Sequence, residues 1–424
     1  MSGRRDRGIC LCLSGGGYRA TLFHVGVIQR LNELGVLSRL STITSVSGGS
    51  ILNGLLACRW ADLTPNAAGV FTNLQEVIGQ PILNFCRNDI RTPIIIGGRL
   101  NPLNWRELVR DRMSVSARFL ADAYEPFYDA RFSDLSSTGP RFVFCATNMH
   151  SGACWHFHGG AACRMGDFYT GYCDASHVRV SDAVAASSAF PLGFSALRLK
   201  IPDELQFTRE DPWGETRVLS AKRSTVLLDP KNRALFLTDG GVYDNLGVEP
   251  VWTRYQSLLV SDAGRPFENL DTCGQGLYSR LKRASDISME QVGAVRKRWL
   301  VEELLAGRRV GALWTLHTRI DDFPLADRCG YDSSVTAAIQ RIRTDLDSFS
   351  EAEASSLANH GYSLADAALR SRAASMCPNP DAEFNWPNPI WTDPSKILSA
   401  LKRSHSRKVF QSIGNYARQC LWPW

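Results

Sequence analysis

An α/β fold, with a mostly parallel central sheet flanked by helices, is predicted for this 424-residue chain by three observations. Two strand–glycine turn–helix units follow one another within the first sixty residues, the alternation of a parallel sheet with right-handed crossovers. Short strand-like runs return later, at 141–147, 234–238, 257–261 and 311–317. From about residue 286 the pattern turns mostly helical, so the sheet carries a helical C-terminal extension.

Each element has a local reason. Gly8 to Leu13 is a short apolar run ended by Ser14 and three glycines, which reads as a buried strand. Ala20, Phe23, Val27, Leu31 and Leu34 then recur at steps of three and four, an amphipathic helix closed by Gly35. Thr42 to Val46 is β-branched and strand-like, and Ile51 to Trp60 is helical with Ile51, Leu52, Leu55 and Leu56 inward. Residues 61–140 read as an insertion over one end of the sheet, with an apolar loop at Pro93 to Gly98 and a helix from Asn104 to Leu120. Pro202 to Pro230 is polar and turn-rich, an excursion from the sheet. The expected division is an α/β domain over 8–265 and a mostly helical region over 266–424 packed on it.

Composition narrows the classes. Hydrophobic residues at 44% and charged residues at 21% exclude a disordered chain. Twelve Cys without C-x-x-C spacing read as buried thiols in a reducing compartment. No apolar run approaches the length of a membrane span, and Ile9 to Leu13 is too short for a signal-peptide core. The expected location is cytoplasmic. Lys and Arg number 48 against 42 Asp and Glu; this mild excess suits an anionic lipid surface as well as nucleic acid, and no nucleic-acid module is present.

Three constellations could carry chemistry. Ser14-Gly15-Gly16-Gly17-Tyr18-Arg19-Ala20 joins a strand to a helix, where glycines expose several N–H groups to a phosphate or a developing oxyanion. It also matches a dinucleotide fingerprint, but the second strand ends Thr44-Ser45-Val46-Ser47 without the carboxylate that would hold a ribose. Ser45-Val46-Ser47-Gly48-Gly49 sits at the next strand–helix junction, the place of a nucleophile elbow. Ser45 stands there where a glycine is usual. Consecutive junctions of one sheet are neighbours, so the anion cradle and Ser47 should lie side by side. Third, Asp239 ends a strand and is followed by Gly240 and Gly241, in the run Thr238 to Gly247. Asp244 reads as a turn residue, and Asp262 is a minor competitor as a base.

Together these motifs resemble the patatin-like phospholipases. SGGGYRA, SVSGG and TDGGVYDNLG occur in the family's order, and Ala186-Ser187-Ser188-Ala189-Phe190-Pro191 is similar to its A-S-x-A-x-P stretch. The resemblance covers roughly residues 8–265. It implies Ser47 as nucleophile and Asp239 as its partner in a Ser-Asp dyad. Gly15, Gly16 and Gly17 would form the oxyanion loop, and Arg19, Gly48, Gly49, Gly240 and Gly241 would be supporting motif residues. It implies hydrolysis of acyl esters of glycerophospholipids or other acyl lipids, with no metal or organic cofactor. Acyl transfer at the same site and a catalytically inactive lipid-binding protein remain alternatives.

The segment Met149 to His177 is rich in His and Cys, but the spacing of Cys154, His156 and His158 matches no common zinc pattern. His317, His360 and His405 follow Asp239 in the chain and could complete a triad. His317 lies near a strand end, His360 reads as a helix C-cap and His405 falls in a basic tail. Arg296, Lys297, Arg298, Arg308 and Arg309, with Lys402, Arg403, Arg407, Lys408 and the terminal Trp422 and Trp424, suggest peripheral contact with an anionic membrane.

Overall fold

The computed structural model describes residues 6–94, 115–213 and 233–404, apart from positions 161, 162, 192, 210, 268, 271, 273, 275 and 403. Strands β1 (Asp6–Leu13), β2 (Leu40–Val46) and β3 (Arg141–Asn148) run parallel, and β9 (Tyr255–Asp262) and β10 (Val310–Thr315) extend the parallel array beyond β1. On the other side of β3 the sheet continues antiparallel through β4 (Cys154–Gly159), β5 (Arg164–Asp167) and β6 (Gly171–Asp174). β7 (Leu197–Lys200) pairs antiparallel with β8 (Ala234–Asp239), which in turn pairs with β3. The sheet is therefore mixed. Its parallel part is the one expected; the antiparallel wing arises from the His- and Cys-rich segment, whose residue pattern marks strands but not their direction.

Ten helices are described: α1 (Gly17–Glu33), α2 (Gly48–Arg59), α3 (Gln80–Phe85), α4 (Val115–Tyr128), α5 (Val180–Ser188), α6 (Gly241–Asp244), α7 (Leu277–Leu305), α8 (Ser333–Gln340), α9 (Glu351–Arg372) and α10 (Pro394–Leu401). Side chains alternate across a strand, and β1 shows the consequence. Leu11 and Leu13 join the large core beneath α1, α2, α5 and α9, whereas Cys10 and Cys12 join a second core with Leu258, Val260 and Leu300. Helices thus cover both faces. Within the insertion, α4 packs on α2 and α5, with the Tyr128 hydroxyl on the Ile51 carbonyl at 3.0 Å and Phe127 stacked on Phe85. Residues 95–114, 214–232 and 405–424, which include parts of the expected apolar loop, helix and excursion and all of the expected basic tail beyond Ser404, lie outside the described residues.

Two expectations change in the C-terminal region. His317 lies beyond β10, which ends at Thr315. Asn359-His360-Gly361 is no helix end; it lies inside α9, whose middle is buried throughout. Gly361 is there for closeness rather than for capping. A Cβ at 361 would overlap the Phe23 carbonyl of α1, and one at Gly26 would overlap the Ala358 carbonyl of α9. Two glycines facing opposite backbones bring α1 and α9 into direct main-chain contact. Beside this seam Arg30 meets Asp366 at 2.7 Å, both side chains buried, so a charged pair fixes the lateral register. The C-terminal helix is in this way continuous with the core that carries β1.

Gly361→Ala should lower stability by about 1–3 kcal/mol, the range for overpacking a close-packed interior, measured by urea denaturation. An unchanged midpoint would show that the seam yields to a methyl group.

Candidate active site

The register of β3 decides which residues meet. Along one edge β3 is paired by β2 up to Val46 opposite Cys145. From the very next residue the same edge is taken over by β8, with Asp239 opposite Ala146. β2 is parallel to β3 and β8 antiparallel, so the two strands converge with their carboxyl ends together. Ser47, one residue past Val46, is therefore delivered beside Asp239, close enough for its side chain to pull down the pKa of the Asp239 carboxyl.

Ser47 adopts φ 49 and ψ −118, a conformation a non-glycine residue takes at a cost on the order of 1–3 kcal/mol. Several bonds hold it. Its N–H donates to Ser187 Oγ at 2.9 Å, and the Ser187 hydroxyl donates to the Cys145 carbonyl at 2.7 Å. Ser50 Oγ lies 2.8 Å from Ser187 Oγ and 2.9 Å from Ser45 Oγ. Ser45 Oγ also bonds the Val143 carbonyl at 3.2 Å and takes a bond from Asn53 Nδ2 at 2.9 Å. The serine at the usual glycine position is thus the centre of a buried hydroxyl network under the turn. Gly48 is required because a Cβ there would overlap the Gly17 carbonyl.

The glycine loop lies beside this elbow. Gly16 and Gly17 have φ 145 and 57, values natural to glycine. A Cβ on Gly16 would come within 2.8 Å of the Ala263 carbonyl, and one on Gly17 within 2.6 Å of the Asp345 carbonyl. Gly15 differs from its expected role: its N–H donates to the Asn245 carbonyl at 3.1 Å and so is not available to an oxyanion. Gly16 and Gly17 have no acceptor for their N–H groups among the described residues, and both line the cleft. Arg19 does not face the cleft. Its buried guanidinium donates to the Ile342 carbonyl at 3.0 Å and the Ala263 carbonyl at 2.9 Å, bracing the loop from behind. Burial lowers its pKa to about 10, and neighbouring Arg265 adds to the shift.

Asp239 receives the Gly241 N–H at 2.7 Å. Burial nevertheless raises its pKa to about 6, against the opposing pull of the Gly241 and Ser47 bonds. No cationic partner accompanies it among the described residues. The other aspartates are tied up. Asp262 faces Lys297 at 3.1 Å and the Gly264 N–H at 2.8 Å; burial alone would raise its pKa, but the ammonium and that N–H hold it below the usual range. Asp244 accepts the N–H groups of Leu246 and Glu249, the turn role expected of it. His317 and His360 each use Nε2 on a backbone carbonyl, Gly264 at 3.1 Å and Leu316 at 3.0 Å. His405 lies outside the described residues.

Several contributors carry no motif. Buried His24 bridges Ser14 and Ser261, with its pKa pushed down to about 4, chiefly by burial. The Asp345 carbonyl accepts the Tyr18 N–H at 2.9 Å from far along the chain. Ser187 belongs to the Ala186–Pro191 stretch, but its bond to the Ser47 N–H joins segments far apart in the chain. Cys154, His156 and His158 lie on β4, and among the described residues no three His, Cys, Asp or Glu side chains are arranged to hold a metal. Much of the expected basic surface is used internally. Arg296 pairs with Glu249, Lys297 with Asp262 and Arg308 with Glu303, while buried Arg309 donates to the Tyr255 and Trp252 carbonyls. Of that cluster Arg298 and Arg308 are exposed.

Ser47, Asp239 and the glycine loop open on a cleft of about 1280 Å³ at the carboxyl edge of the parallel strands, where α/β sheets bind ligands. Phe190, Phe194, Leu246 and Leu346 give it apolar walls. An elbow serine, a carboxylate on its hydroxyl and unpaired N–H groups beside both form a site competent for acyl transfer through a serine ester. The model of the patatin-like phospholipase family matches residues 11–252, and the chain belongs to that family. Among solved structures, human GIVD cytosolic phospholipase A2 is similar at 14% identity over 60% of this chain and 45% of that one, with TM-score 0.39. The same human enzyme in complex with methyl gamma-linolenyl fluorophosphonate is similar at 15% identity over 43% and 29%, with TM-score 0.30. VipD from Legionella pneumophila is similar at 15% identity over 86% and 66%, with TM-score 0.32. The chain spans less than half the length of the human protein. No curated protein matches.

Burial of Asp239 has a stability consequence. Its carboxyl titrates near 6 in the fold and near 3.9 in the unfolded chain, so the folded state loses stability as pH rises from about 4 through 6. Asp239→Asn should exceed wild type by ~2–3 kcal/mol at pH 8 and match it below pH 4, where both states are neutral. Denaturation at the two pH values checks this; a gain independent of pH would point to a cause other than ionisation.

Proposed function

We propose that the protein hydrolyses acyl esters of glycerophospholipids, with Ser47 as nucleophile and Asp239 as base. The observation that supports this reading is the convergence of β2 and β8 on one edge of β3, which brings Ser47 beside the buried Asp239 carboxyl. Ser47 Oγ attacks the ester carbonyl carbon while its proton passes to Asp239. The carbonyl oxygen becomes an oxyanion held by the Gly16 and Gly17 N–H groups. Collapse breaks the C–O bond, and Asp239 returns the proton to the departing lysolipid alcohol. Water then attacks the acyl-enzyme with Asp239 again as base, releasing the fatty acid and restoring Ser47. A carboxylate at about 6 accepts a proton more readily than an ordinary one near 4. Peripheral contact with membranes and a cytoplasmic location belong to this proposal; no helix among the described residues is long and apolar enough to cross a membrane.

A fluorophosphonate probe should label Ser47, and labelling that persists in Ser47→Ala would sink the assignment. Gly17→Val should cut turnover by roughly 10²–10³-fold through loss of an oxyanion donor. The rate on a phospholipid should rise with pH through about 6 and level off above it, as Asp239 loses its proton. Asp239→Asn should lose nearly all turnover, whereas His317→Ala should stay within about tenfold of wild type, or about 1.4 kcal/mol. A histidine whose removal abolishes turnover in a folded protein would replace the dyad by a triad.

A further inference from the structure

Helix α7 presents two faces. At 3.6 residues per turn, Lys282, Asp286, Glu290, Gly293 and Lys297 fall on the face that lines the catalytic cleft, and Leu300 further along is buried in the core. The outward face is a row at steps of three and four: Leu277, Leu281, Ala284, Ser288, Val292, Val295 and Trp299. Leu277, Leu281, Val292 and Trp299 are 66, 62, 39 and 53% exposed. A surface helix normally turns such a row inward, and here the order is reversed. From Leu277 to Trp299 the row extends ~33 Å at 1.5 Å per residue, and a long exposed apolar surface marks an interaction site.

The charges beside it name the partner. Arg280 and Arg298 flank the row on the same side, and neither has an acidic partner among the described residues. The row also meets the cleft: Arg280, Ala284 and Ile287 lie along its edge and line the cavity. At the mouth, exposed Phe267 and Leu270 continue the apolar rim, with the Arg283 guanidinium 4.1 Å from the Phe267 ring centre. Two copies pairing antiparallel through this row near its midpoint would bring Arg280 of one alongside Arg298 of the other, a like-charge contact. An anionic lipid surface instead answers both features, taking apolar side chains at the acyl boundary and arginines on phosphates.

We propose that α7 is a membrane-docking helix that seats its outward row on an anionic leaflet and so sets the cleft mouth against the lipid. The proposal deepens the lipid-hydrolase reading and rests on it for the substrate's route, while docking itself is independent of turnover. The test uses the full chain with sucrose-loaded vesicles, phosphatidylcholine alone or mixed with phosphatidylserine. Ser47→Ala, which leaves the vesicles intact, should cosediment at least tenfold more tightly with the anionic vesicles. The double variant Leu281→Asp, Trp299→Asp alters exposed positions outside the cleft. It should lose vesicle binding by tenfold or more while hydrolysing a soluble short-chain ester within twofold of wild type. Arg298→Glu should remove much of the preference for anionic lipid. Vesicle binding unchanged in the double variant would overturn the proposal. So would a wild-type dimer, seen by light scattering, that the same substitutions dissociate, since the row would then belong to a second copy. Wild type inactive on both vesicles and soluble ester would defeat the hydrolase reading alone, because cosedimentation still decides docking.

Discussion

One edge of β3 organises this molecule. Hydrogen-bonding capacity along a strand edge is fixed, and β2 and β8 divide it between Cys145 and Ala146 with no residue left over. A one-residue slip of either strand would turn its side chains to the opposite face. It would also leave the elbow serine and the aspartate out of register. The antiparallel direction of β8 therefore has a positional role, because only that direction brings its carboxyl end to meet that of β2.

The glycine loop follows from the same crowding. Elbow and loop share a space so narrow that main chain touches main chain. Gly48 faces the Gly17 carbonyl, Gly49 approaches the Leu13 carbonyl and Gly17 faces Asp345. Side chains would push these segments apart, so the site is assembled from backbone and held from outside. Arg19 and Ser14 hold the loop to Ala263, and the Tyr18 N–H ties it to Asp345. All three anchoring positions, Ala263, Ile342 and Asp345, lie beyond the residues that match the family. The α1–α9 seam makes the same connection at larger scale.

The local parts of this arrangement were legible in the sequence. Strand–glycine–helix punctuation placed β1, α1, β2 and α2 within a few residues, and TDGG placed the end of β8, because those signals depend on backbone chemistry within a short window. What was not legible depends on partners distant in sequence. Gly361 carries the same letter as a helix cap, and only the nearness of Phe23 makes it a packing residue. Gly15 sits in the glycine run with its neighbours, yet the Asn245 carbonyl removes its N–H from use. The basic cluster at 296–309 reads as a surface until Glu249, Asp262 and Glu303 are seen to take its charges. Val292, Val295 and Trp299 share one side of α7, and burial shows that Val292 and Trp299 are exposed there.

The choice of base follows from which buried group lacks a countercharge. Asp239, Asp244 and Asp262 are all buried and near the cleft or its supporting turn. Arg296 lies beside Asp244 and Lys297 beside Asp262. Lys297 and the Gly264 N–H hold Asp262 below the usual carboxylate range; burial still raises the Asp244 pKa despite Arg296, but its oxygens are taken by the Leu246 and Glu249 N–H groups. Asp239 has only the Gly241 N–H and Ser47, too little to offset its desolvation, so its pKa rises to about 6. The same burial that makes the anion costly makes proton transfer from serine less unfavourable. The nearby histidines are removed from contention by opposite means: His24 and His360 are held neutral in the core with pKa near 4, each with a ring nitrogen on a carbonyl. An imidazole so placed serves as a rigid strut. Proton acceptance is left to Asp239, which alone of these three carboxylates has no cation beside it among the described residues, and the residue next to it is Ser47.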